Sequence, residues 1–472
     1  MRRVLLYPVL LALLFVLGAA ASQALPLRYE ASWQSNIAAG SHGYGVGLLP
    51  TGSTTEVADW LTPNAPGALA VGICTYDPPT KDIFNAERNI EGRPQQEISL
   101  HWDGQEVSRR LSPVALLGPI DVRLTVAFVV GGANISVRVG RTAVYDRIFV
   151  PGVMPYAARI ASGVSTGADI RALKLQSAGA APDYGAPLRV RAMDQQINDA
   201  AHHTLTAEAN LPQDTSGYGR VICTLTLAAT PAGLDKWDRV ASVYLYDDRG
   251  ERFEILRYIT PYHKAYQWTA DVTDLLPLLT GHKKIEAFCE TYGEGWLVSI
   301  DFDYYPGPLK SRPYRVVNLW NTIAVIGEAD KPIVDQLPAK TIPIDAGADR
   351  TAVRLCVTGH GQAPNTDDAA EFLPLWRKLT VGGAAFTDTL WKTDNYLNPC
   401  RPQGGTWKFD RAGWGPGTVV TPWTVDVTRS VKRGRDATFV YEIQPFVNKT
   451  PDHGNPARHV IASQVIFYRD SR

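Results

Sequence analysis

Short strand-like runs, each closed by a turn signal, recur along this chain and constrain its fold more than any other feature. Glu97–Trp102, Val122–Val130 and Asn134–Val139 alternate or run apolar, and Asp103-Gly104 and Gly131-Gly132 punctuate them. No long helical period interrupts this first block, which spans about Leu25 to Ala180. A Gly/Pro-rich stretch, Ser177 to Pro187, reads as a linker. A second block follows to about Tyr305, with runs Val221–Leu227, Ala241–Tyr246 and Phe253–Ile259; Asp247-Asp248-Arg249-Gly250 is a hairpin turn between the last two. A third block, from about Pro313 to Arg472, holds Ala352–Thr358, Leu379–Val381, Trp423–Val427, Phe439–Ile443 and Val460–Tyr468. The spacing predicts an all-β protein of three sandwiches. The 40 Gly and 33 Pro among 472 residues supply the turns such folds need, and an aromatic content of 10% suits carbohydrate-facing surfaces.

Lys+Arg and Asp+Glu both number 47, so nothing in the charge balance points to a polyanionic partner, and no basic-aromatic pattern of a nucleic-acid module is present. Arg2 and Arg3, the apolar run Leu5 to Leu17 and the small residues ending at Ala24 read as a cleaved leader over 1–24. That run is short beside the ~20 residues of a spanning helix. The expectation is a secreted or periplasmic protein, with no membrane contact after cleavage. Five cysteines, Cys74, Cys223, Cys289, Cys356 and Cys400, form no CxxC motif. Export permits disulfides, with Cys223–Cys289 or Cys356–Cys400 as possible pairs and buried thiols as the alternative. Histidines are scattered, His202-His203 being the only adjacent pair, so neither a zinc nor a copper centre is expected and no cofactor is called for.

No HExxH, GxSxG or P-loop motif occurs. Carboxylates beside aromatics remain. Trp237-Asp238-Arg239 precedes a strand. Cys289-Glu290-Thr291-Tyr292 ends one, and a Glu inside an apolar strand end must be paired or functional. Ala370-Glu371-Phe372 follows the polar 365–368 loop. Trp407 to Gly417 sets Asp410-Arg411 between Trp407 and Trp414 in a glycine-rich loop, a pattern suited to a rigid pocket wall whose Arg orients a carboxylate.

Taken in order, these segments resemble the peptide:N-glycosidase F family over about Asp235 to Ile466, with Arg257–Tyr262, Asp271–Asp274, Val298–Asp303 and Gly359–Ala363 as further carriers. The resemblance implies two adjacent eight-stranded jelly rolls, over 188–306 and 313–472, preceded here by an N-terminal lectin-like β-sandwich over 25–180 that lies outside the match. It implies an amidase that hydrolyses the side-chain amide between Asn and N-acetylglucosamine in N-glycoproteins. Asp238 matches the family's primary catalytic aspartate, and Glu290 and Glu371 its supporting glutamates. Arg239 and Arg411 match arginines near the site, expected to hold these acids charged by lowering their pKa. Trp237, Tyr292, His360, Phe372 and Trp414 are the expected substrate-side or supporting residues, and His360 could tune the pH response. His360, Phe372 and Tyr292 replace family tryptophans, and Gly415 replaces a disulfide cysteine, which leaves sugar preference and stapling open. A monomer without metal is expected. The alternative reading is a non-catalytic carbohydrate-binding protein on the same sandwiches.

Overall fold

A computed structural model describes residues 24–75, 96–361, 370–448 and 455–471. The leader expected over 1–24 lies, up to residue 23, outside the described residues, as do Gln362, Ala363 and the 365–368 loop. Among the described residues no helix is long and apolar enough to cross a membrane.

Among the described residues the strands pair antiparallel in six sheets, and helix is limited to single turns such as Ile333–Gln336. Two five-stranded sheets enclose the N-terminal core around Trp33, Val46, Leu100, Leu124 and Ile135. One runs Ala168–Ala180, Pro26–Ile37, Gly118–Val129, Gly132–Val139, Thr142–Pro151. The other runs Gln105–Leu111, Glu97–Trp102, Leu69–Cys74, Gly43–Pro50, Ala158–Val164. The last strand of the first sheet continues to Ala180, paired with Pro26, so the expected linker is extended sheet over its first four residues and irregular only over 181–187.

The two jelly rolls follow. The outer sheet of the first orders Leu188–Asn198, Trp296–Pro306, Tyr218–Ala228 and Tyr266–Asp271. Its inner sheet orders Thr204–Asn210, His282–Cys289, Val240–Tyr246, Arg252–Ile259 and Thr418–Val419. The fifth strand is borrowed: Thr418 and Val419 come from the third block yet pair with Ile259 and Tyr258. The second jelly roll has an inner sheet of Ser311–Val325, Arg458–Asp470, Arg350–His360 and Trp423–Asp426, and an outer sheet of Lys340–Pro343, Asp436–Ile443, Leu375–Val381 and Ala384–Leu390.

Burial explains the sequence patterns. Leu375–Val381 alternates buried and half-buried positions, as a strand with one wet face must. Arg252–Ile259 and Arg350–His360 are buried on both faces, because each inner sheet covers its own core on one side and the other jelly roll on the other. Polar residues on the covered faces therefore need partners. Glu254 and Arg257 form a buried ion pair at 2.8 Å. Across the interface, Arg257 donates to the Val460 carbonyl at 2.6 Å and the Thr358 hydroxyl at 3.1 Å. Arg354 donates back to the Ile255 carbonyl at 3.1 Å. Ile259, Cys356, Trp414, Val420 and Ala462 form the apolar part of this joint. The N-terminal sandwich docks on both jelly rolls. Arg220 stacks over the Phe149 ring at 3.9 Å, and Arg401 reaches Glu97 at 3.5 Å and Glu106 at 3.7 Å.

Cys223, Cys289, Cys356 and Cys400 are free thiols, all fully buried. Neither disulfide considered from the sequence forms: these residues pack as small apolar side chains, and burial raises all four thiols, those of Cys223, Cys356 and Cys400 to about 12.

Candidate active site

The segment 235–239 is an irregular turn ahead of the strand Val240–Tyr246, and two buried polar side chains hold it. Asp235, fully buried, accepts from the Trp237 amide at 2.8 Å and from the Thr291 hydroxyl. The Thr260 hydroxyl accepts from the Arg239 amide at 2.7 Å and donates to the Trp237 carbonyl at 3.0 Å. With both flanks pinned, the Asp238 carboxylate is presented toward the second jelly roll.

There the loop 391–420 is fixed by amide side chains. Asn395 donates to the carbonyls of Phe409 and Trp414, at 2.8 and 3.0 Å. Gln403 accepts from the Tyr262 amide at 3.0 Å and donates to the Pro416 carbonyl at 2.9 Å. Gly413 sits at φ +79, where a Cβ would meet the Leu390 side chain at 2.4 Å and the Val357 carbonyl at 2.9 Å. The loop thereby turns Arg411 inward with no exposed side-chain surface. Its Nη1 donates to the carbonyls of Thr406 and Phe409, and its Nη2 to the Thr406 hydroxyl at 2.7 Å. The Phe372 and Trp414 rings lie 5.0 and 4.8 Å from the guanidinium.

Arg411 brings the acids together. Its Nε donates to Glu371 Oε1 at 3.2 Å, and its Nη2 lies 3.9 Å from Asp238 Oδ2. Both carboxylates keep 15% of their side-chain surface open. Glu290 follows the strand His282–Cys289 and is exposed, accepting from the Tyr292 hydroxyl at 2.5 Å. Burial lowers the pKa of Arg458, and the charges of Glu290 and Glu371 oppose that, so Arg458 lies in the field of both. Above them stand exposed aromatics. Trp237 is 51% and Tyr292 67% exposed, and the Tyr292 ring lies 5.5 Å from the Arg239 guanidinium. Phe372 packs edge-on against Phe409.

Three expectations need correction. First, the Asp238 pKa is raised, not lowered: burial outweighs the opposing pull of Arg411, the Tyr262 hydroxyl and Arg239. Second, Glu290 is not inside an apolar strand end but just beyond it in water. Third, His360 is buried beneath the site, bonded to the Thr358 hydroxyl at 2.8 Å and stacked on Trp414 at 5.0 Å. Burial first, then Arg458 and Arg257, push its pKa well below the usual range, so it stays neutral and cannot set a pH response. Trp414, 3% exposed, donates its indole N–H to the Gly359 carbonyl and backs Arg411, the supporting side of its expected place.

The sequence reading missed four contributors. Tyr262, hydrogen-bonded to Asp238 and 3.2 Å from the Thr406 hydroxyl, lay within a quoted segment but carried no pattern of its own. Asp235 and Thr406 act through bonds to loops, which sequence spacing does not reveal. Arg458 is an ordinary strand-start arginine until the fold sets it between two glutamates.

The chain is similar to known proteins over its two jelly rolls. Residues 332–467 match the family profile described as peptide-N-glycosidase F, C terminal. The chain is 28% identical over 254 residues to the peptide-N(4)-(N-acetyl-beta-D-glucosaminyl)asparagine amidase F of Elizabethkingia miricola, an alignment spanning 49% of this chain and 69% of that one. A crystal structure of a peptide-N(4)-(N-acetyl-beta-D-glucosaminyl)asparagine amidase superposes with TM-score 0.55 at 24% identity, over 61% of this chain and 97% of that one. The structure of the glycosylasparaginase from Flavobacterium meningosepticum superposes with TM-score 0.54 at 24% identity, with the same coverage. These superpositions establish the double jelly-roll fold.

Proposed function

We propose, from the premise that the chain belongs to a peptide:N-glycosidase F-like family, that it is an exported amidase acting on N-glycoproteins. The bond cut is the side-chain amide joining asparagine to the first N-acetylglucosamine. Water adds to the carbonyl carbon and the C–N bond breaks. The nitrogen leaves with a proton as the glycosylamine, and asparagine becomes aspartate. An amide is a poor electrophile, so the reaction needs a group that takes the water's proton and returns it to the leaving nitrogen. Asp238 is assigned that task. Its raised pKa suits it, because a carboxylate that binds protons more tightly than usual is the better base.

The other residues take supporting roles. Arg411 holds Asp238 and Glu371 in one plane of charge and keeps Asp238 from becoming permanently protonated. Glu371 and Glu290 position water and the polar groups of sugar and peptide. Arg239 steadies the Asp238 turn and the Tyr292 ring. Trp237, Tyr292 and Phe372 offer apolar faces to substrate, with His360 and Trp414 as packing behind them. Because this is amide hydrolysis, the carboxylate spacings of glycosidases do not apply.

The observation that carries the reading is the buried Arg411 bridging a carboxylate from each jelly roll. The test is deglycosylation of a denatured N-glycoprotein, followed by mass spectrometry for conversion of Asn to Asp. Asp238→Asn should lose about 10²–10⁴-fold in turnover while keeping its fold. Near-parental turnover in that variant rules the assignment out. Glycan binding without any conversion by the parent protein points instead to the non-catalytic reading.

A further inference from the structure

A cleft of about 1030 Å³ lies between the N-terminal sandwich and the outer sheet of the first jelly roll. None of Asp238, Glu290 and Glu371 lines it. Its volume reaches the top of the ~300–1,000 Å³ range of small-molecule sites, and junctions between domains are where such sites form. We propose that this cleft is a second binding site, for a neutral oligosaccharide.

The floor is the outward face of the strands Trp296–Pro306, Tyr218–Ala228 and Tyr266–Asp271. The pairing sets Ser299, Thr226 and Gln267 side by side in one row across three strands, and Asp301, Thr224 and Thr269 in the next. Hydroxyl, amide and carboxylate groups thus form a grid ~4.8 Å across strands and ~7 Å along them. That spacing matches the scale on which a sugar chain presents its hydroxyls, and these groups can donate and accept as sugar hydroxyls require.

The charges on the floor are already matched. Arg189 holds Asp303 through two bonds at 2.6 and 2.8 Å, while Arg191 binds Asp301 and Arg220 binds Asp271. A polyanion would find each of these guanidiniums committed, whereas a polar uncharged ligand finds oriented acceptors and donors. Across the cleft stands Trp102, an aromatic ring of the kind that takes the C–H face of a sugar. A polypeptide ligand is the competing class. The floor favours the sugar because the groups it offers are the side chains of Ser299, Thr226, Gln267, Thr224 and Thr269 rather than a ladder of backbone amides and carbonyls.

The cleft also touches the catalytic loop. Asn398, Pro399 and Gly417 form one wall of it, and Trp268 donates its indole N–H to the Gly417 carbonyl at 3.0 Å. Gln403, on the same loop, bonds the Tyr262 amide beside Asp238. One loop therefore stands between the cleft and the carboxylate site, within reach of the outer branches of a large glycan.

The test is calorimetric titration of the full mature chain with a free oligomannose N-glycan, which lacks the scissile amide, and separately with a sugar-free peptide. Thr226→Val combined with Gln267→Ala removes two floor contacts at half-exposed and exposed positions, so the melting temperature should hold. Binding of the free oligosaccharide should weaken about tenfold or more. Turnover of a short glycopeptide bearing only two sugars should stay at the parental rate. Unchanged oligosaccharide affinity in the double variant, or no binding to the parent, overturns the proposal, and saturable binding of the peptide in the cleft replaces it with a polypeptide site. The binding measurement does not depend on turnover, so a failed amidase assignment and a failed cleft assignment give different results.

Discussion

Replacing Arg257 by Met tests how the two jelly rolls are held together. Arg257 and Glu254 have 0% and 1% of their side-chain surface exposed, at 2.8 Å separation. Burial alone would lower the pKa of Arg257, but Glu254 more than offsets this, so the pair is ionic. With an effective dielectric near 20, the attraction at this distance is about 6 kcal/mol, most of it offset by the cost of dehydrating both ions. The net worth of the pair is therefore small, whereas the worth of completeness is large. Met at 257 leaves the Glu254 carboxylate buried without its cation, although the Ser242 hydroxyl still donates to it at 3.0 Å, and removes the guanidinium donors to the Val460 carbonyl and the Thr358 hydroxyl. Breaking a buried pair in this way costs about 3–5 kcal/mol, or roughly 6–20 °C in melting temperature for a unit of this size. Glu254→Gln with Arg257→Met should recover at least half of that loss, because no net charge remains buried. The assay is thermal and denaturant unfolding of the parent, both singles and the double. Deglycosylation well below the transition should also fall in Arg257→Met, since the docked sheets set the separation of Asp238 and Glu371. A single variant within about 1 kcal/mol of the parent, below the range for a broken buried pair, would refute the reasoning. So would a double variant as unstable as the single, which would assign the loss to packing instead.

Other outcomes follow from the site. The folded pKa of Asp238 stands above its ordinary value of 3.8. Between those two pKa values the native state binds more protons than the unfolded chain, so this group makes stability fall as pH rises; Asp238→Asn should therefore melt higher than the parent at neutral pH, by calorimetry. If ionised Asp238 is the working base, the acid limb of kcat should lie above the ordinary carboxylate range, and Arg411→Met should move it higher still while lowering kcat. His360→Asn should leave that limb in place, because the neutral histidine does not titrate there; a displaced limb would contradict its burial. Thiol titration after unfolding should find Cys223, Cys289, Cys356 and Cys400 reactive without added reductant.

Much of the fold could be read from residue order. Where one face of a strand is wet, as in Leu375–Val381, alternation with a turn at each end is enough. Strands covered on both faces were legible as strands but not as joints. Nothing in Arg252–Ile259 says which of its polar residues meets water and which meets another sheet, so the Glu254–Arg257 pair emerged only with the domains docked. The site divided in the same way. Asp238, Glu371 and Arg411 were singled out by local context together with the family resemblance, and the fold sets the two carboxylates within 3.9 Å of the Arg411 guanidinium. Their proton affinities were not legible, because dehydration depends on what lies above a side chain rather than on its neighbours in sequence. For Asp238 that environmental contribution exceeded the nearby arginines and reversed the expected direction.

The two-residue strand Thr418–Val419 carries a practical consequence for anyone dividing this protein. A fragment stopping near residue 310 would keep a full complement of its own strands and yet strip Arg257, Tyr258 and Ile259 of the backbone partners that 417–420 supply at the sheet margin. Such a bare margin invites the same strand from another molecule. Expressed separately, the N-terminal portion should form ordered aggregates, and a peptide spanning 413–422 supplied in trans should keep it dispersed.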